Sequence, residues 1–378
     1  MARLIGEYDV IVVGAGPGGS VAAKKCAQNG FRTLLLEKRR LPREKVCTGM
    51  IMGVWAHNIV AQEFGDIPQD VLVDPHYLSG HMLHFPGVEP QAIEWQTPLA
   101  WRRDLDFWMN KRAEEEGAEI WDTTKVLGIT QSEGQCRVAV KKGEEERELN
   151  ARFVIGADGA TSRVRKSLFP NLKVPYMAPR RECYEGSVHM ERDYFHWFFP
   201  KSRPHPRFDI IHKGDFFLIE GSGIRDLREE INQTLMGRGF DPSARPVWQD
   251  GCLEPVLHKA LILGAFYPAL GNVLLIGDAA SLILPITYEG IGPALQSGLL
   301  AAAAISEAAE GDRQAADIYL RQLKPMLDVL KGLYSWSKGL EQKAEKGPQI
   351  LSRAMKEAYE ETLKISSLQQ VELYPLGV

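Results

Sequence analysis

Residues 8–13 (YDVIVV) form a short run rich in valine and isoleucine that ends on a glycine. Apolar residues on both parities of such a run predict a strand buried on both faces. The alanine-rich stretch after Gly19 predicts a helix to about Gln28, ending at Asn29-Gly30, and residues 31–36 repeat the strand pattern. The three pieces make one βαβ unit of about 30 residues. Between residues 41 and 98 the pattern weakens and loops are expected. Residues 105–116 read as an amphipathic helix closed by Gly117, followed by strand-like runs at 119–129, 136–140 and 148–155. The alternation in residues 136–140 (CRVAV) predicts a half-exposed antiparallel meander. Residues 175–262 are aromatic and punctuated by proline and glycine, which predicts a second β layer. Residues 273–276 give another buried strand, and an alanine-rich helix follows to about Gly311. The rest, to about Leu368, is helical by composition. No internal repeat or low-complexity linker interrupts the chain, and strands near both ends are expected to serve one nucleotide domain.

Composition narrows the classes. With 378 residues, 44% of them hydrophobic, the chain can bury one large core or two fused ones. Its formal charge of −4 and lack of a long basic tract argue against a nucleic-acid partner. The five cysteines, Cys26, Cys47, Cys136, Cys183 and Cys252, contain no CxxC pair, so neither a disulfide framework nor a zinc site is expected. A reducing cytoplasm suits them best. The first strand begins too early to leave room for a signal peptide. The apolar stretch 299–305 is far short of the roughly 20 residues that span a bilayer. A transmembrane span is therefore not expected, while peripheral contact with a membrane stays open.

The strongest local signal is Gly14-Ala15-Gly16-Pro17-Gly18-Gly19, set between a strand and a helix. Gly14 permits a tight turn, Gly16 lets a pyrophosphate approach the backbone, and Gly19 lets helix and strand pack closely. The helix start then offers free N–H groups to phosphate. Glu37, at the end of the second strand, can accept hydrogen bonds from a ribose, which favours FAD or NAD over a 2′-phosphorylated nucleotide. Lys38, Arg39, Arg40 and Arg43 follow, either near phosphates or as exposed loop charge. Two later strands deliver Asp158-Gly159 and Gly277-Asp278 to turns. Helix N-capping is an alternative use for both aspartates.

This ordered trio resembles the p-hydroxybenzoate-hydroxylase-like flavoproteins. The resemblance implies FAD, with Asp278 at the ribityl or ribose region and Asp158 near the pyrophosphate. It also implies that Arg102, with Arg103 as a near-equal candidate, contacts the cofactor ahead of a helix. Within that group the chain is similar to the geranylgeranyl reductases, over about residues 8–305. The carrying segments are residues 45–49 (KVCTG), residues 197–201 (WFFPK) with 220–223 (EGSG), and residues 285–291 (PITYEGI). Thr48 stands where that family usually has glycine.

The expected fold is therefore α/β. A discontinuous Rossmann-like FAD-binding domain would take residues 1–75, 97–172 and 265–310. An antiparallel β-sheet substrate domain would take 76–96 and 173–264, and a helical region 311–378. The resemblance implies reduction of carbon–carbon double bonds in an isoprenoid or other apolar substrate, with hydride from the flavin and a proton from an acid. Cys47 and Tyr288 are the acid candidates, and Cys47 is equally well read as a small packing residue. Pro285, Gly290, Ile291 and Gly292 would face the flavin, with N–H groups of Gly290 and Gly292 available to developing negative charge. Trp197, Phe199 and Pro200 would form either core or an apolar substrate channel. His76, His81 and His84 are expected in a turn and not at a metal. With no second glycine fingerprint, the reductant would be NAD(P)H bound transiently or a reduced electron-carrier protein. Two other readings stand beside this one: a flavin monooxygenase or halogenase acting on an aromatic substrate, and a flavin-binding redox partner or sensor.

Overall fold

The computed structural model describes residues 7–132, 134–199, 208–222, 227–311 and 313–365. Strand β1 (Glu7–Val13), helix α1 (Pro17–Gln28) and strand β2 (Thr33–Leu36) form the expected βαβ unit. Val10, Ile11 and Val12 have no exposed surface, as their apolar run requires of a strand covered on both faces. β1 pairs in parallel with β2 on one side and with the strand Glu145–Gly156 on the other. The strand Val273–Leu275 joins the far edge of Glu145–Gly156, also in parallel, so distant parts of the chain complete one eight-stranded sheet. The hairpin of Thr124–Ser132 and Gln135–Lys142 hangs from the same sheet.

Residues 41–98 depart from the expectation of loops. They hold the helix Gly53–Phe64 and two long strands, Leu72–His84 and Gln91–Ala100. Register shifts after Leu72 and Leu78 break the alternation that would have revealed these strands. Their partner is non-local: Leu72–His84 pairs with Tyr194–Phe198, over a hundred residues away. His76, His81 and His84 consequently lie in a strand and not in a turn. The resulting seven-stranded sheet runs from Trp248–Gly251 through Pro179–Glu185, Phe216–Ser222, Phe208–Lys213 and Tyr194–Phe198 to that pair. It is antiparallel except between Tyr194–Phe198 and Leu72–His84.

The helices Ile291–Glu310, Ala315–Ala344 and Pro348–Lys364 follow the last strand of the larger sheet. The first packs against α1 so closely that a Cβ on Gly18 would stand 2.7 Å from the Ala294 carbonyl oxygen. The last carries Tyr359, fully buried, to the ring of Trp197 in the second sheet, 5.5 Å away edge to face.

Candidate active site

Between the two sheets lies a cavity of about 1050 Å³. One end is built on the glycine turn. Gly14 adopts φ +107°, and a Cβ there would lie 2.3 Å from the Ala157 carbonyl oxygen. A Cβ on Gly19 would lie 1.9 Å from the carbonyl oxygen of Gly14, so only glycine lets α1 start this close to β1. Gly16 differs in kind. Its missing Cβ faces no backbone, only the guanidinium tips of Arg43 and Arg102, at 3.6 and 3.9 Å. Two cations thus stand over the open start of α1, whose Gly16 cap makes no side-chain bond to the first-turn N–H groups. This is the charge and geometry that a phosphate requires.

These cations are held in a four-membered network. Arg102 grips Asp106 with two hydrogen bonds, 2.7 and 2.9 Å, and Arg43 contacts Asp106 at 3.1 Å and Glu37 at 2.9 Å. Burial disfavours the charge of Arg102, but the Asp106 carboxylate outweighs it and the guanidinium stays firmly protonated. Glu37 also accepts from the N–H groups of Ala15 and Arg39, so it fixes the turn as well as facing the cavity. Asp106 was not singled out in the sequence, although its i, i+4 spacing from Arg102 on one helix face is visible there.

The two aspartate turns meet at the next part of the wall. Asp158 lines the cavity and also caps the helix Arg163–Leu168, accepting from the N–H groups of Arg163 and Val164 and from the Ser162 hydroxyl. Burial pushes its carboxyl up, against those donors. Gly159, Gly277 and Asp278 line the same wall. Arg165, buried and absent from the sequence candidates, donates to the carbonyls of Ala160, Asp278 and Ala279. One guanidinium therefore ties the two turns together, reaching from Arg165 to the Asp278 carbonyl 113 residues further along the chain.

Beyond them comes the loop before Ile291–Glu310. Tyr288 (φ +54°), Gly290 and Ile291 line the cavity, whereas Pro285 and Gly292 are buried outside it. The Gly292 N–H is not free for a ligand: it donates to the buried Glu289 carboxylate at 2.8 Å, because Glu289 caps this helix start. Burial pushes the Glu289 carboxyl up to about 7.

At the far end the loop bearing Cys47 meets the second sheet. Arg181 donates to the Cys47 carbonyl at 2.8 Å while it is paired bidentately with Asp250. Lys213 donates to the carbonyls of Thr48 and Ala100, at 2.7 and 2.8 Å. Burial, then Arg181, push the Lys213 amine down to about 7. The Cys47 thiol accepts from the Gly49 N–H at 3.4 Å. Phe195 and Trp197, two apart on one strand, line this end, and the Trp197 indole donates to the His81 imidazole at 3.2 Å.

Of the residues expected from the sequence, Gly14, Gly16, Pro17, Gly18, Gly19, Glu37, Lys38, Cys47, Arg102, Asp158, Gly159, Trp197, Gly277, Asp278, Tyr288, Gly290 and Ile291 converge on this one cavity. Arg103 does not. One position along the helix turns it out to solvent. Phe199 is buried elsewhere, stacked on Phe85 at 4.5 Å. Pro200 lies outside the described residues, as do Lys201 and Gly223.

The cavity suits an elongated dinucleotide. Its volume stands at the top of the ~300–1,000 Å³ usual for ligand pockets. The Gly16 cradle, open beneath the two guanidiniums, accommodates a pyrophosphate. Among the described residues, no helix is long and apolar enough to cross a membrane.

Comparison with known proteins agrees with this geometry. The FAD binding domain family matches residues 7–191. Digeranylgeranylglycerophospholipid reductase 2 of Methanopyrus kandleri is 30% identical over 326 residues, covering 83% of this chain and 81% of that protein. A geranylgeranyl bacteriochlorophyll reductase-like protein from Thermoplasma acidophilum shares the fold with a TM-score of 0.67 at 21% identity, covering 98% of this chain and 94% of its own. The myxobacterial chondrochloren halogenase also shares it, with a TM-score of 0.66 at 16% identity over 87% of this chain and 80% of that one. The chain is an enzyme of the geranylgeranyl reductase family of FAD-dependent oxidoreductases.

Proposed function

We propose that this enzyme reduces carbon–carbon double bonds of an isoprenoid lipid. The observation that carries the reading is the continuity of one cavity, from the Gly16 cradle to the aromatic surface of Phe195 and Trp197. A prenyl chain gains from every methylene it buries against that aromatic surface, about 0.8 kcal/mol each. The larger sheet and its helices serve as the FAD-binding unit and the seven-stranded sheet as the substrate unit. Residues Gly14–Gly19 and Arg102 would hold the pyrophosphate, Glu37 the adenosine ribose, Asp278 the ribityl region, and Gly290-Ile291 the flavin ring. When bound and reduced, FAD supplies hydride to one alkene carbon, its electrons coming from NAD(P)H or a reduced carrier protein. The chain's own task is to align the double bond, keep water out and deliver a proton to the other carbon. The five free cysteines support a reducing cytoplasmic setting, with the lipid met at a membrane surface.

The test is anaerobic. The reduced protein is mixed with a digeranylgeranyl glycerophospholipid, and the lipid is weighed by mass spectrometry. A gain of two hydrogens per double bond is expected, with reoxidation of the flavin. Reoxidation only by dioxygen in the presence of an aromatic compound would instead make it a monooxygenase or halogenase. Flavin that stays reduced with every acceptor would favour the redox-partner reading.

A further inference from the structure

Two carboxyl groups on the wall of the substrate end, those of Asp209 and Glu220, belong to no ion pair among the described residues. Asp209 and Glu220 stand directly opposite each other on the antiparallel strands Phe208–Lys213 and Phe216–Ser222. Residues so paired leave the same face of a sheet with their Cβ atoms about 5 Å apart. That face is the cavity, which both residues line beside Trp197, the partner of Asp209 on the neighbouring strand. Asp209 is only 9% exposed, and neither its Oδ1 nor Oε2 of Glu220 has a hydrogen-bond partner among the described residues. Of the nearby basic side chains, Arg181 is committed to Asp250 and the Cys47 carbonyl and Lys213 to the Thr48 and Ala100 carbonyls, and Lys45 acts on Glu220 through its charge.

We infer that the Asp209–Glu220 carboxyl pair is the proton source for the double-bond reduction. The inference rests on the alkene-reducing reading above and supplies the acid that reading requires. Two carboxyls facing each other across one strand pair, with Asp209 buried, disfavour double ionisation, so the pair keeps at least one proton. Burial pushes both carboxyls up; the charge of Glu220 raises Asp209 further, while Arg181 opposes the rise of Glu220. The other charged or titratable groups bearing on the pair are Arg181, Asp250, Lys213, Lys45, Glu254 and Tyr359. Glu254, itself pushed up to about 7 by burial and then by Glu220, adds to the negative side. Tyr288 is the weaker candidate, because burial raises its phenol further above an already high value.

The step balances. The O–H bond of one carboxyl breaks as a C–H bond forms at the more substituted-cation-forming end of the alkene. Hydride from the reduced flavin reaches the other carbon with both electrons, so the alkene is reduced and the flavin oxidised. The carboxylate left behind shares the remaining proton of its partner or recovers one from water before the next turnover. Positive charge developing on carbon would face the Trp197 ring, which pairs across the strands with Asp209 and whose π surface favours a cation.

The decisive variants are Asp209→Asn, Glu220→Gln and the double substitution, each preserving shape. Flavin-loaded proteins are reduced anaerobically and mixed in a stopped-flow instrument with either the digeranylgeranyl lipid or ferricyanide, which takes electrons without protonating carbon. Reoxidation by ferricyanide should match wild type, while reoxidation by the lipid should slow about 10²–10⁴-fold in the double variant, the usual range for loss of a general acid. Infrared spectra of the substrate-free proteins should show a protonated-carboxyl band that each single substitution diminishes. Asp209→Glu, which keeps an acid, should restore most of the lipid rate. A double variant reoxidised by lipid within threefold of wild type, or an infrared band untouched by either substitution, would overturn the inference. Wild-type protein oxidised by ferricyanide but by no prenyl lipid would instead sink the alkene-reducing reading, and the proton source with it. Should Asp209→Asn lose its flavin, Glu220→Gln decides by the same two readouts.

Discussion

Replacing Lys213 by methionine should remove a pH dependence of stability that the wild-type protein owes to this one side chain. Lys213 has no exposed surface, and its amine donates to two carbonyls. A neutral amine has two N–H bonds, so both are used, and the charged form would bring a third donor into a site that offers it only the Trp101 ring, 3.9 Å from Nζ. Burial, then Arg181, lower its pKa from 10.5 to about 7. Between those two values the unfolded chain binds a proton that the folded protein lacks, so stability rises with pH across that window and the gain is absent below 7. For a single site shifted this far, the rise between pH 6 and pH 9 is about 3 kcal/mol. Methionine has no proton to lose and leaves two carbonyls unpaired, at roughly 1–3 kcal/mol each. Lys213→Met should therefore be less stable than wild type at pH 9, with a deficit about 3 kcal/mol smaller at pH 6. Urea unfolding of both flavin-saturated proteins at the two pH values, followed by tryptophan fluorescence, measures that difference, in which other titrations cancel. A deficit constant to within about 0.5 kcal/mol would mean that Lys213 keeps its proton in the fold, and the reasoning would be refuted.

Two further outcomes follow from the cofactor end. Arg102→Ala leaves the buried Asp106 with only Arg43 as a cationic partner, and removing one member of a buried ion pair costs about 3–5 kcal/mol. Its thermal midpoint should fall and its FAD dissociation constant, from fluorescence titration, should rise at least tenfold, whereas Arg103→Ala, at an exposed position, should change neither. Gly19→Ala drives a Cβ to 1.9 Å from the Gly14 carbonyl oxygen and should purify without flavin or not fold. Gly332→Ala, in the helix Ala315–Ala344 with nothing within 4 Å of the new Cβ, should gain about 0.5–1 kcal/mol, read from the denaturation midpoint.

How much of this was legible follows the range of the interactions concerned. The βαβ unit could be read because its strand runs, glycine turn and helix are contiguous, and each announces itself within a window of a few residues. Residues 41–98 could not, because the strands there are bulged and take their pairing from Tyr194–Phe198. Proximity in sequence did not separate Arg102 from Arg103; the phase of the helix did, turning one under the glycine loop and the other into solvent.

The sequence by itself determined the fold class and the residue types that gather at the glycine loop, because backbone freedom, apolar runs and helix dipoles are local properties. Tertiary structure alone decided which charges meet: Arg43 with both Glu37 and Asp106, Arg165 across both aspartate turns, Lys213 under the Cys47 loop, and Asp209 facing Glu220. Most of these contacts depend on strand register or on segments far apart in the chain, and the ionisation of each buried group is set by its neighbours in space, which no local pattern encodes.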